Sequence, residues 1–284
     1  TVFTASTHDF LLFFTDTGKV HRKKGYLIPE AGRSAKGTNI VNILPVEPGE
    51  KVTAMLHVKS LEDDSVLMMV TRKGTVKRLP LNVLNTARKA GIRAITLEEG
   101  DELIAVLPTS GEDNILLMTH DGMAICFKET DVRCMGRDAV GVRGIRLREG
   151  DYVVGAARAK RDHQVLMITE HGYGKRTEMD EYIRADGPQK RGGFGLKGYN
   201  VTEKAGPVVG VKVVSDADDI LVINDAGVII RMAVSGISTY GRTAQGVKIM
   251  NLEEGVKVIS FARTDHEEEE DEEGSETPND QQEG

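Results

Sequence analysis

Residues 115–122 read Ile-Leu-Leu-Met-Thr-His-Asp-Gly. Four aliphatic residues without polar interruption suit a short strand buried on both faces. The Asp-Gly that follows marks a hairpin, because Gly reaches the positive φ that a tight turn requires. The same stretch recurs as LLFFTDTG ending at Gly18, VLMMVTRKG at Gly74, VLMITEHG at Gly172 and ILVINDAG at Gly227, with intervals of 56, 48, 50 and 55 residues. These periods are too long for leucine-rich or ankyrin repeats and match a four-stranded blade.

Each repeat continues in one order. A second strand follows the turn, as in KVHRK, TVKRL and VIIRM. A loop then reaches a Gly-containing anchor: GRSAKG ending at Gly37, ARKAG at Gly91, GRDAVG at Gly141, QKRGGFG at Gly195 and GRTAQG at Gly246. A third strand comes next, clearest in VRGIRL and VKIMNL. Another Gly turn leads to a fourth, such as ELIAVL or YVVGAA. Five repeats of about four strands give roughly twenty short strands, whose edges radial repetition or closure would protect. The expected fold is all-β. Residues 178–183 and 81–87 could each hold a helical turn, but no segment sustains a 3.6-residue period.

The 284 residues carry 37 Lys and Arg against 44 Asp and Glu, with two Cys and no Trp. Eleven of the acids fall within 265–284, so residues 1–264 have a net charge of +4. A mildly basic body with an acidic tail brings a polyanionic partner into consideration. The tail has nothing apolar to bury and is expected to be disordered. The expected division is thus a β body at 1–264 and a tail at 265–284. No apolar run approaches membrane-spanning length, and TVFTASTHDF lacks the features of a signal peptide. Cys126 and Cys134 cannot form a disulfide framework, which points to a reducing cytoplasm. Position 1 is Thr, consistent with a fragment.

Among these repeats, STHDFLLFFTDTGKVHRKKGYLIPEAGRSAKG, TSGEDNILLMTHDGMAICFKETDVRCMGRDAVGVRGIRL and ITEHGYGKRTEMDEY carry a resemblance. The chain resembles the C-terminal domain of the A protein of bacterial DNA gyrase, a β-pinwheel whose blades exchange strands and wrap DNA. The resemblance spans essentially residues 1–264 and extends to the acidic tail. It implies a ring or spiral of about five four-stranded blades, located in the cytoplasm with the nucleoid. It also implies as partners duplex DNA, the rest of the gyrase A protein with its cleaving Tyr, and the gyrase B protein, which hydrolyses ATP for negative supercoiling. No cofactor is implied for this part. The family's basic heptapeptide QRRGGKG would lie upstream, while residues 189–195 hold a box-like QKRGGFG with Phe194 in place of a Lys. Alternatives are the related topoisomerase IV domain, against which the box-like segment speaks, or a protein-binding propeller. The absence of Trp argues against the WD type of the latter.

Three sets of residues are candidates for DNA contact. In QKRGGFG, Lys190 and Arg191 supply charge, Gln189 a hydrogen bond, and Gly192, Gly193 and Gly195 close backbone approach to phosphate. A loop making a tight bend fits the same residues. Four residues past each turn Gly stand Arg22, Arg78, Cys126, Arg176 and Arg231, with Lys77 and Lys175 preceding two of them. One register repeated puts charge at the same place on each blade and suggests a charged rim, although each Arg alone fits a solvated strand face. The anchor loops add Arg33, Lys36, Arg88, Lys89, Arg137 and Arg242, and the third strands Arg93, Arg143, Arg146, Lys197 and Lys248. Such contacts position DNA without reading its sequence. No His, Cys and carboxylate set has metal-type spacing, no GxSxG elbow exists, and no residue reads as catalytic.

Overall fold

The computed structural model describes residues 5–32, 35–62, 64–86, 88, 90–183 and 185–265. Nineteen strands are present among the described residues, and the helical turns are 3-10 turns, including Leu81–Leu84 and Met179–Glu181. Each repeat opens with a hairpin: β1–β2 (Phe10–Thr15, Lys19–Lys24), β4–β5 (Val66–Thr71, Thr75–Pro80), β8–β9 (Asn114–Thr119, Met123–Lys128), β12–β13 (Gln164–Thr169, Tyr173–Glu178) and β16–β17 (Asp218–Asn224, Ile229–Ala233). The turn glycines have φ between +79° and +84°. In the first four hairpins the strand-ending Thr also accepts from the first N–H after the turn; Thr119 Oγ1, for example, accepts from Met123 N at 3.0 Å. Asn224 does the same for Val228 at 2.9 Å.

The longer strands β3 (Val52–Val58), β7 (Leu103–Thr109), β11 (Val153–Ala159), β15 (Val208–Val214) and β19 (Val258–Asp265) pair with the first strand of each hairpin and surround a central cavity. The blades form a ring about it, with Thr53–Leu56 and Ser260–Phe261 lining the same space.

The outer strands differ from simple repeat order. The expected third strands are two-residue strands β6 (Ile92–Arg93), β10 (Val142–Arg143), β14 (Leu196–Lys197) and β18 (Val247–Lys248). Each pairs with the hairpin of the preceding repeat, giving sheet orders β3-β1-β2-β6, β7-β4-β5-β10, β11-β8-β9-β14 and β15-β12-β13-β18. The fifth sheet is three-stranded, β19-β16-β17. Among the described residues no strand pairs with the outer edge of β17. Val228 and Ile229, at the positions where the other four blades pair with an outer strand, are 50% and 59% exposed.

The uninterrupted apolar runs follow from packing on both faces. Leu67 and Met69 of β4 join a core with Leu12 and Phe14 of β1, whereas Met68 and Val70 join the next core with Ile115 and Leu117 of β8. The alternation continues through Leu116 and Met118 against Val165 and Met167, then Leu166 and Ile168 against Ile220 and Val222. Each such side chain contributes about 1.5–3 kcal/mol on burial, so one polar substitution damages a joint between blades rather than a single sheet.

Candidate nucleic-acid interface

The donated strands form the perimeter. Each has an aliphatic residue followed by a base, and period-two alternation sends the two to opposite faces. Arg93, Arg143, Lys197 and Lys248 are all exposed and pair with the first residue after each turn, in Lys19↔Arg93, Arg143↔Thr75, Lys197↔Met123 and Tyr173↔Lys248. One exposed base thus recurs at one structural position on four successive blades. Their polar contacts are slight: Arg93 lies 3.9 Å from Asp138, and Lys197 Nζ donates to Asn200 Oδ1 at 2.8 Å.

The anchor loops join these strands. Gly141, Gly195 and Gly246 have φ of +113°, +77° and +80°, and a Cβ on Gly195 would sit 2.2 Å from the Ala124 carbonyl. Thr96 donates to the Asp138 carbonyl, Arg146 N to Gly193 O, and Arg242 Nη1 to Lys197 O, so successive loops are tied around the rim. Arg137 and Arg242 are half-buried, whereas Lys36, Arg88 and Arg146 are exposed. Arg33 and Lys89 lie outside the described residues.

QKRGGFG bridges two blades. Gln189 N donates to Cys126 O, and Gly192 N to Gly144 O of the preceding blade at 2.6 Å. Arg191 turns back into the protein, its Nε donating to Asp131 O at 2.8 Å and its Nη1 to Arg143 O at 3.0 Å. Its side chain holds the loop, leaving Lys190, 90% exposed and 3.9 Å from Asp131 Oδ1, as the segment's outward charge. Gly193 is exposed beside it. Phe194 is 44% exposed, with the Arg146 guanidinium 5.3 Å from its ring centroid.

The arginine register past the turns requires a correction. Lys175 and Lys77 are fully buried, and Arg176 is 7% exposed. Arg78 pairs with buried Glu129 at 3.3 Å and donates to Val132 O; Arg176 pairs with Asp216 and donates to Ile237 O at 2.6 Å. Arg231 pairs with Asp219 at 2.8 Å, and Arg22 Nη1 donates to Asn85 Oδ1 at 3.1 Å. Arg22, Arg78 and Arg176 fasten their strand to a following turn instead of forming a rim, on strands whose outer edge is covered by the donated segment; Arg231, on the three-stranded fifth sheet, is exposed but tied to Asp219 of its own hairpin. Lys77 donates to Ala94, Arg137 and Ala139 carbonyls, and Lys175 to Gly241 and Arg242 carbonyls. Burial pulls both ammonium groups down to about 8. The repeat alignment held part of the signal: the residues equivalent to the two lysines are Ile125 and Ile230, as expected of an inward position, and His21, which is buried as well.

Cys126 takes the arginine position in the third blade, and burial pushes its thiol up to about 12. His120, Asp121 and Asp151 come together, which their spacing had not indicated, with ligand atoms within 4.8 Å. Their contacts are those of a turn: Asp151 Oδ1 accepts from Asp121 N and Tyr152 N, and His120 Nδ1 meets Asp121 Oδ1 at 3.0 Å.

The fold and its basic outer strands define a class, a strand-exchanging β-propeller with a repeated cationic perimeter. The model for the DNA gyrase C-terminal domain, beta-propeller, matches residues 9–59, 65–110, 113–160, 163–215 and 218–265. The chain belongs to that family. It is 48% identical over 275 residues to the DNA gyrase A protein of Clostridium acetobutylicum, covering 97% of this chain and 33% of the relative. It spans about a third of the length of the curated relatives it matches. The crystal structure of the C-terminal domain of DNA topoisomerase IV superposes with TM-score 0.83 at 27% identity, covering 91% of this chain and 80% of the other. A DNA gyrase A C-terminal domain gives 0.78 at 28% identity, covering 91% and 83%.

Proposed function

We propose that this chain binds duplex DNA along its perimeter and bends it, supporting negative supercoiling within an ATP-dependent gyrase. The observation that carries the reading is the exposed base at one position on four blades, Arg93, Arg143, Lys197 and Lys248. Loop charges, chiefly Lys190, Arg137, Arg242 and Lys36, supplement it. Contacts to phosphate position a duplex without specifying sequence, and a curved row of them offsets bending, which costs on the order of several kcal/mol. Strand cleavage and ATP hydrolysis are assigned to the remainder of the gyrase A protein and to the gyrase B protein, with which this domain would act in the cytoplasm. No helix among the described residues is long and apolar enough to cross a membrane.

The tail at 265–284 is proposed as a competitor for the basic face, since tethered carboxylates act at high effective concentration. The deciding experiment is energy transfer between the labelled ends of a duplex, with binding measured on the same samples. Bending that weakens with salt and is indifferent to sequence is the expected result. Binding without bending, or preference for one short sequence, refutes the proposal.

A further inference from the structure

The two buried lysines occupy an unusual place. Lys77, on β5, lies inside the joint beneath the perimeter, where an aliphatic side chain would fill the same space without burying charge. Its Nζ donates at 2.8 Å to Arg137 O and 3.0 Å to Ala139 O of the loop GRDAVG, and at 2.8 Å to Ala94 O, just after β6. Two loops donated to neighbouring blades therefore meet on one ammonium. Lys175 repeats the arrangement two blades further on, donating to Gly241 and Arg242 carbonyls of GRTAQG. There the ring of Tyr199, just after β14, lies 5.3 Å from the ammonium, and its hydroxyl donates to Gln245 O of the same loop. The intervening blade has Ile125 at this position, and its loop QKRGGFG is held from outside by Arg191.

We propose that Lys77 and Lys175 are positioning residues of the perimeter: each holds its Gly-Arg-x-Ala-x-Gly loop in the conformation that presents Arg137 with Arg143, or Arg242 with Lys248, to a duplex, and loosens it on losing its proton. The inference rests on the DNA reading above. An ammonium has three N–H donors and a neutral amine two. Three carbonyls converge on Lys77, so deprotonation leaves one of them unpaired. Lys175 has two carbonyls and a ring face, and its loop is less sensitive. The charged group acting on Lys77 is Asp138; those on Lys175 are Glu181 and Arg242. Burial brings both lysines to about 8, so the change falls in mildly alkaline solution. A polyanion laid over the rim favours the charged form, and binding above that pH takes up protons.

The test uses the full chain, with wild type beside Lys77→Met, Lys175→Met and the double variant. Without DNA, amide hydrogen exchange in 138–141 and 243–246 is expected to quicken by about tenfold in the double variant, while 191–195 remains unchanged. With DNA, energy transfer should show wild-type bending falling as pH rises from about 7 to about 9.5. The double variant should bend weakly throughout, and Lys77→Met should remove more of the pH dependence than Lys175→Met. Unchanged exchange, or bending equal to wild type, overturns the proposal. Should the variants not fold, the wild-type pH series decides, and constant bending across it refutes the role of the lysines. A wild-type chain that leaves DNA straight at every pH refutes the DNA reading itself, a failure that exchange data without DNA distinguish.

Discussion

Replacing Arg93, Arg143, Lys197 and Lys248 with Gln should flatten the salt dependence of DNA binding without harming the fold. All four are exposed and none touches a core cluster, so each change should stay within about 0.5 kcal/mol of wild-type stability. Each phosphate neutralised on a duplex contributes about −0.9 to the slope of log affinity against log salt. If each of these bases meets one phosphate, the quadruple variant loses about 3.6 from that slope. Between about 50 and about 200 mM salt, a fourfold change, wild-type affinity should then fall about 150-fold more than the variant's. The assay is fluorescence anisotropy of a labelled duplex across a salt series. The internal control is Arg78→Met with Arg176→Met, measured on folded protein; it removes one partly buried and one buried ion-paired charge and should leave the slope intact. A slope change below about one unit in the quadruple variant, or an equal change in the control, refutes the assignment.

Arg78→Ala leaves the carboxylate of Glu129 buried without its ion pair, although Thr109, Gly111 and Asp113 still donate to it; a loss of about 3 kcal/mol is expected in denaturant unfolding. Gly246→Ala would put a Cβ 2.2 Å from the Gly174 carbonyl at φ +80°, whereas Gly227→Ala at φ +83° meets nothing within 4 Å. The second should cost about 1 kcal/mol and the first at least about 3 kcal/mol by thermal melting, and equal costs would deny that donated strands press on the hairpins. Under native conditions at neutral pH, an alkylating reagent should label exposed Cys134 and spare Cys126, whose thiol is pushed up to about 12; mass spectrometry reads the stoichiometry. Deleting 265–284 should tighten DNA binding at low ionic strength and leave it unchanged at high, where screening has removed the tail's competition.

The hairpins are legible because an aliphatic run such as Ile115–Met118, closed by Asp-Gly, has few other solutions, and the repeat offers five readings of it. The exchange of outer strands is implied by resemblance alone. Period and spacing are identical whether Val142–Arg143 pairs within its own repeat or with β5 of the preceding one. The site is legible in part. Arg143 and Lys248 belong with the exposed third-strand bases, since alternation alone places them outward. Arg176 and Lys175 defeat the same reasoning, because a charged side chain ordinarily seeks solvent. For Lys175 the equivalent Ile125 and Ile230 show otherwise, but for Arg176 no repeat does, and carbonyl acceptors supplied by a loop more than sixty residues away leave no local trace. Arg191 fails for the same reason, its partners being the carbonyls of Asp131 and Arg143.

Because every completed blade borrows its outer strand from the repeat after it, the heritable unit of this protein is out of phase with its architectural one. A truncation after β15 would delete one blade and also strip β18 from β13, unmaking the rim of the blade before the cut. A lesion at any boundary between these repeats therefore registers first on the outer surface of its upstream neighbour.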